Sequence, residues 1–282
     1  MISEQQRKKA DDFFNLHKKG KLLILPNIWN PIGARILEAK GFPAAATASA
    51  AVSSSLGYRD GEKIKFSTHL DIIKRIVDSV EIPVTADIES GYATDLRELR
   101  ESIKKVIDTG VAGINIEDSV GKEGLIRDIE EQCERIATVR EVSEENGFHL
   151  VINARIDPFL SDSNRPNDEV INEVIKRADA YCKAGADCVY PIGVLNLDTI
   201  KALRAVIRSP INILGSHRTI PLKTLQDIGI NRVTFGPFIF RSVMKKFVNI
   251  IEELGNLASY ETFANDFFSF TEMLQFLRNE EV

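Results

Sequence analysis

Four carboxylates in two short segments are the first residues that could do chemistry. Asp87 and Glu89 lie two apart in TADIESGY, and Glu117 stands beside Asp118 in NIEDS. If the first segment stays extended, the two-residue period of a strand puts Asp87 and Glu89 on one face. Carboxylates gathered at one rim repel one another unless a cation bridges them. Hard oxygen donors with water completing the shell point to Mg2+, with Mn2+ as the alternative ion. Asp118 taken alone has a plainer role as a solvated loop acid or a helix cap. Asp60, in GYRDGE between Gly57 and Gly61, is either a ligand-facing carboxylate or an ordinary turn aspartate. Arg155, in INARIDPF, offers a planar fork for a carboxylate or phosphonate, or a salt bridge to Asp157 or a rim acid. Trp29 and Tyr92 either wall a pocket or simply pack.

Other chemistries find little support. His17, His69 and His149 fall in helical or pre-strand positions that suit packing, whereas His217, in LGSHRTIP, follows an apolar run and is the one histidine at a candidate rim. Cys133, Cys182 and Cys188 form no C-x-x-C pair, which argues against a disulfide framework and a thiolate zinc site. Their placement in helices or near a strand start also argues against a thiol nucleophile. The chain has 282 residues, of which 44% are hydrophobic and 27% charged, as expected of a folded globular protein. Lys plus Arg number 36 against 41 for Asp plus Glu, and no stretch concentrates the basic residues, so a phosphate-backbone partner is not expected. No run of about 18 apolar residues occurs and Met1 to Lys19 is polar, so neither a membrane span nor a signal segment is expected and the cytoplasm is the expected location.

The elements that would position these residues follow a repeated unit. An amphipathic stretch ends at a glycine, and an apolar run begins two to four residues later; Gly41, Gly110, Gly185 and Gly229 mark four such junctions. Glycine accepts the left-handed conformation that closes a helix, after which the chain turns into a buried strand. Strands are predicted near Leu22 to Leu25, Ala44 to Thr47, Val84 to Asp87, Gly113 to Ile116, Leu150 to Asn153, Cys188 to Tyr190, Ile211 to Leu214 and Arg232 to Phe235. Helical patterns separate them over Thr68 to Val80, Leu96 to Asp108, Ile129 to Asn146, Asp168 to Ala184 and Leu197 to Ile207. Eight apolar strands alternating with helices imply one α/β domain, a (β/α)8 barrel spanning residues 1–282. An open doubly wound sheet is the rival fold, but the first strand-to-helix turn lacks G-x-G-x-x-G. A barrel places its active site at the carboxyl ends of the strands, where the polar segments above fall. Residues 256–282 form a helical extension rich in phenylalanine, covered either by a neighbouring subunit through helix exchange or by its own barrel.

Read in order, SLGYRDGE, ADIESGY, GVAGINIEDS, INARIDPF and GADCVYP resemble the isocitrate lyase and phosphoenolpyruvate mutase superfamily, over roughly Leu22 to Arg241. The resemblance implies a barrel with a Mg2+ site, chemistry on 2-oxo acids through an enolate, and dimers or tetramers that exchange a C-terminal helix. It implies Asp87 as direct metal ligand, with Glu89 and Glu117 holding the metal largely through water. It implies catalytic parts for Asp60, Glu117 and Arg155, with Arg155 gripping the acidic group of the substrate. Ala48, Ser49 and Ala50 match the segment that cradles the 2-oxo carboxylate, and Trp29, Asn153 and Tyr190 complete the expected substrate-binding set. Ser119, Gly121, Lys122, Glu123 and Gly124 match the loop that closes over the metal.

One departure follows Glu117. Isocitrate and methylisocitrate lyases carry K-[KR]-C-G-H there, whereas this chain reads EDSVGKEGLIRDIEEQ, with neither cysteine nor histidine. The expected activity is a Mg2+-dependent lyase on a small 2-oxo or 2-hydroxy acid, cleaving a C–C bond or decarboxylating. Phosphonomutase or phosphonopyruvate hydrolase chemistry is the alternative within the superfamily, and a non-catalytic 2-oxo acid binding protein is the alternative outside enzymes.

Overall fold

The computed structural model describes residues 2–18, 20–121, 125–161, 167–194, 196–218, 220–256, 259–264 and 266–277. Among these, nine short strands run parallel in two sheets. They are β1 (Leu23–Leu25), β2 (Asn27–Ile28), β3 (Ala45–Thr47), β4 (Val84–Asp87), β5 (Gly113–Glu117), β6 (Val151–Ile156), β7 (Cys188–Pro191), β8 (Asn212–Leu214) and β9 (Arg232–Thr234). One sheet has the order β1-β9-β8 and the other β2-β3-β4-β5-β6-β7. β1 is the strand expected over Leu22 to Leu25, and β2, which the sequence pattern does not predict, follows it beyond Pro26, which has no N–H to give to a ladder. Asn27 bridges the break: its Oδ1 accepts from the Phe235 and Gly236 N–H groups beyond β9, and its Nδ2 donates to Thr47 O on β3. A parallel bridge from Val189 to Ile211 joins β7 to the residue before β8.

The helices are α1 (Glu4–Leu16), α2 (Pro31–Ala39), α3 (Ser49–Ser55), α4 (Phe66–Val77), α5 (Leu96–Asp108), α6 (Ile129–Glu145), α7 (Pro158–Ser161), α8 (Asn167–Lys183), α9 (Leu197–Val206), α10 (Leu222–Asp227), α11 (Phe238–Gly255), α12 (Glu261–Ala264) and α13 (Phe270–Leu274). α5 shows why they form. Asp95 accepts from the Glu98 N–H at its start, and Leu99, Ile103, Val106 and Ile107 make one buried stripe three and four residues apart. The predicted closing glycines Gly41, Gly110, Gly185 and Gly229 all have positive φ.

The sequence pattern does not predict α1, because only Ala10 and Phe13 are fully buried in an otherwise charged stretch. Phe13 reaches into the amino-terminal end of the strands, where a Cβ on Gly113 would lie 2.8 Å from its ring. Nor does it predict α3, whose serines have poor intrinsic helix preference. Phe276, just beyond α13, is 1% exposed and meets Phe268 edge-on, while Arg35 donates to Leu277 O. This part of the tail therefore packs on its own chain. Val243, Phe247, Ile251 and Leu254 on α11, with Phe267 and Phe270, remain exposed.

Because Phe13 fills the base of the strand array, Phe13→Ala is expected to reduce unfolding free energy by about 3 to 5 kcal/mol. Urea denaturation followed by circular dichroism checks this. A loss below about 1 kcal/mol would show that α1 is not part of the core.

Candidate active site

Strand register sets the site. Asp87 pairs with Asn115 and Asn115 with Asn153; one step on, Glu117 pairs with Arg155 and Arg155 with Tyr190. Asp87, Glu117 and Arg155 lie toward the carboxyl ends of their strands, and Asn115 and Asn153 one turn of the pleat deeper. These two rows border a cavity of about 180 Å³ whose wall includes Ala48, Ser49, Ala50, Asp60, Asp87, Asn115, Arg155, Tyr190, Thr234 and Arg241. That space suits a small acid.

Asp87 is fixed from two sides. Its N–H donates to Thr47 Oγ1 at 2.9 Å, and its Oδ2 accepts from Ser49 N at 3.1 Å and Ser49 Oγ at 2.9 Å. Ala48, at the cap position of α3, has no side-chain oxygen, so Asp87 supplies the capping carboxylate from the next strand. The Ser49 donors expected to cradle a substrate are thus engaged by Asp87. Among the described residues Asp87 Oδ1 has only a 3.5 Å contact, from Glu89 N, and is the less engaged of its two oxygens. Asp60 sits at the cavity mouth, where burial of its carboxyl and then the Asp87 charge raise its pKa.

Glu89 does not share the face of Asp87. β4 ends at Asp87, and Glu89 has φ 55°, a left-handed conformation that rotates its side chain off the strand's alternation. Its Oε2 accepts from Glu62 N at 2.6 Å and its Oε1 from the Tyr92 hydroxyl at 3.1 Å. Glu62 replies with Oε1, which accepts from Ser90 Oγ at 2.7 Å and Tyr92 N at 2.8 Å. This clasp joins the loop carrying Asp60 to the one after β4. Burial, then the charges of Asp60 and Asp87, push the Glu89 carboxyl up to about 8. Tyr92 stacks on Phe66 and lies 3.0 Å from His69 Nδ1, so it packs behind the site and does not line the cavity.

Glu117 and Arg155 form an ion pair at 2.5 Å, with Ser119 Oγ donating to the second Glu117 oxygen. Arg155 also binds both oxygens of Asp157, at 2.9 and 2.7 Å. The salt-bridge reading of Arg155 is realised, since Glu117 and Asp157 both pair with it, and the residue also lines the cavity wall. Burial raises the Glu117 carboxyl above its usual range and the Arg155 charge opposes that. Asp118 points away into the protein. It is fully buried and accepts from Asp157 N, Arg177 and the Tyr181 hydroxyl, a structural role.

Two expected substrate contacts lie off the cavity wall. Trp29 packs on Ala48, Ala51 and Phe240 behind α3. Asn153 is buried and donates to Asn115 Oδ1 at 2.8 Å. Sequence reading misses Asn27, Asn115, Thr234 and Arg241, which line the cavity, and Glu62, which shapes it. His217 is exposed beside Phe238, off the wall, and the three cysteines are also off it. Of the expected closing loop, Ser119 pairs with Ile126 and Gly121 has φ 38°; Lys122, Glu123 and Gly124 lie outside the described residues.

Among the described residues, no group of three or more His, Cys, Asp or Glu is arranged to hold a metal by itself. Asp87 can offer one carboxylate oxygen directly. Glu89 and Glu117 already hold protein donors, so they could meet a metal only through water. One direct carboxylate with water and substrate oxygens completing the shell fits Mg2+, which dehydrates reluctantly.

Fold and cavity together define a TIM-like α/β enzyme with a polar site at the carboxyl ends of parallel strands. Residues 13–255 match the family model for phosphoenolpyruvate phosphomutase, and the chain belongs to that family, within the isocitrate lyase and phosphoenolpyruvate mutase superfamily. It is 26% identical over 277 residues to 2-methylisocitrate lyase of Halalkalibacterium halodurans, covering 93% of this chain and 87% of that one. It is 27% identical over 227 residues to oxaloacetate decarboxylase of Pseudomonas fluorescens, covering 78% and 75%. Among solved structures, a phosphonopyruvate hydrolase in complex with oxalate and Mg2+ shares the fold with a TM-score of 0.82 at 20% identity, covering 95% of this chain and 94% of that one.

Asp118→Ala would remove one of the two carboxylates paired with the buried Arg177 and take away the acceptor of the buried Tyr181 hydroxyl and Asp157 N–H. The expected loss of stability is about 3 to 5 kcal/mol, read by chemical denaturation. A near-neutral effect would mean that the Asp118 network does not hold the rim.

Proposed function

We propose that the protein is a Mg2+-dependent lyase that acts on a small 2-oxo or 2-hydroxy carboxylic acid through an enolate, cleaving a C–C bond or decarboxylating. The observation that carries this reading is that Asp87, with one oxygen held only weakly, and Arg155, a fixed guanidinium, line the same small cavity. Family membership and relatives named as lyases and decarboxylases support it. We read the two sheets as one closed eight-stranded barrel, on the strength of the Val189–Ile211 bridge and the β1–β2 continuity at Pro26.

Asp87 would hold the metal, with Asp60, Glu89 and Glu117 ordering its water. When bound, Mg2+ supplies positive charge to the 2-oxo oxygen as the enolate develops. The remaining work belongs to the chain. Arg155, held in place by Glu117 and Asp157, would grip the substrate carboxylate. Ser49 and Thr47 hold Asp87 in one orientation, so little reorganisation is needed during reaction. The hairpin after Glu117 is proposed to close over the cavity and exclude water. The exposed apolar stripe of α11, with Phe267 and Phe270, is proposed to be covered by a second copy in a homo-oligomer through its C-terminal helices. Among the described residues, no helix is long and apolar enough to cross a membrane, and we place the enzyme in the cytoplasm.

Asp87→Ala is expected to abolish Mg2+-dependent turnover of 2-oxo acids while the protein stays folded. Arg155→Lys should raise KM about ten-fold or more, since a point charge lacks the planar fork. Steady-state rates on oxaloacetate, malate-type and phosphonate acids check both. Undiminished turnover in a folded Asp87→Ala protein would remove the metal assignment. For assembly, sedimentation velocity should show a dimer or tetramer, and a monomer at high concentration would remove helix-mediated association.

A further inference from the structure

Beneath the cavity lies a charge that the proposed reaction does not use. Arg232, the first residue of β9, is 0% exposed, and among the described residues it forms no ion pair with a carboxylate. Its guanidinium lies over the Phe13 ring at 5.8 Å, on the side that α1 closes. Among the described residues its Nε and Nη1 have no hydrogen-bond partner, and its side-chain bond there runs from Nη2 to Asn115 Oδ1 at 3.2 Å. A buried, unpaired guanidinium is costly, and positions that tolerate such cost often serve the site.

The contact with Asn115 has a directional consequence. Arginine has donors and no acceptor, so it can meet only the oxygen end of an amide. Asn153 Nδ2 donates to that same oxygen at 2.8 Å. Two donors on Oδ1 remove the ambiguity of the amide's orientation and leave Nδ2, with its two hydrogens, as the end free to meet a ligand. Asn115 is on the cavity wall, in register with Asp87.

We propose that Arg232 is a positioning residue: with Asn153 it locks the Asn115 side chain so that Nδ2 donates a hydrogen bond to an oxygen of the bound acid. The guanidinium also stays behind that amide as an unneutralised positive charge, whereas the charge of Arg155 is already balanced by Glu117 and Asp157. An anionic ligand oxygen therefore meets a donor polarised by a cation, and a ligand without an acceptor at that point gains nothing from it. This inference rests on the reading of the cavity as a site for small anionic acids.

The test is a double-mutant cycle on Asn115→Ala and Arg232→Met, with oxalate as probe in the presence of Mg2+ and affinity read by calorimetry. Each single variant is expected to weaken oxalate about ten-fold, the loss of one hydrogen bond between charged and polar groups. The double variant should be no weaker than Asn115→Ala alone, because Arg232 acts through that amide. Arg232→Lys, which keeps one donor, should recover most of the affinity lost in Arg232→Met. Parent-like binding by Arg232→Met, or losses that multiply in the double variant, would overturn the proposal. A crystal structure of the parent with Mg2+ and oxalate decides it independently of how the variants fold: Nδ2 of Asn115 bonded to oxalate or to a metal-bound water supports it, and an amide turned the other way overturns it. A parent protein that binds no oxalate would overturn the small-acid reading and this inference together; a binding parent with indifferent variants would overturn this inference alone.

Discussion

The rim depends on how Arg155 is neutralised. A guanidinium at the end of a buried parallel strand needs anionic partners, and the pairing of β5 with β6 brings Glu117 opposite it, while Asp157 lies two residues along its own chain. These two carboxylates fix the arginine so that little side-chain entropy remains to be lost when a ligand arrives. Asp157 also ties the triad to the protein interior: its N–H donates to Asp118, which accepts from Arg177 and Tyr181 on α8. A charge at the cavity is thus connected through hydrogen bonds to a helix on the outer layer.

The carboxylates left over are arranged by a second constraint, mutual repulsion. Glu89 would add a charge next to Asp87 and Asp60 if it stayed on the strand face. It instead takes a left-handed backbone conformation, joined by Tyr92 at φ 51°, and its oxygens are satisfied by Glu62 N–H and the Tyr92 hydroxyl. Strained backbone of this kind persists only where surrounding contacts over-determine it, and the reciprocal Glu62 bonds to Ser90 and Tyr92 do so here. The clasp holds Asp60 at the mouth and leaves Asp87 facing the cavity.

The parts of this arrangement that follow period and turn chemistry are legible in the sequence. Helix-closing glycines, the carboxyl-end location of Asp87, Glu117 and Arg155, and the packing role of His69 all follow from local rules, whereas Asp118, expected as a solvated loop acid or helix cap, is fully buried because Arg177 and Tyr181 arrive from a helix distant in sequence. What is not legible depends on where a rule stops. The alternation argument for Asp87 and Glu89 fails because the strand ends between them, and nothing in DIESG marks that point except Gly91, whose added Cβ would lie 2.6 Å from Leu99. Asn27 and Asn115 are ordinary amides in sequence. Their importance comes from a barrel-like interior that is polar, a tertiary property. Trp29 misleads for the opposite reason, since an aromatic next to a rim can pack behind the wall as easily as on it.

The segment after Glu117 illustrates how these constraints combine. Ser119 donates to Glu117, and Arg127 N donates to Asp118 O, so the described residues on both flanks of this segment are anchored to the acidic rim. Ser119 also pairs with Ile126, and Val120 N bonds to Leu125 O, so the two flanks form a short antiparallel ladder. A loop held in this way cannot shift at its base without disturbing the Glu117 oxygen that Ser119 satisfies. The Glu117–Arg155 pair and the base of this segment are therefore linked through the Ser119 hydroxyl, even though the residues lie in different elements.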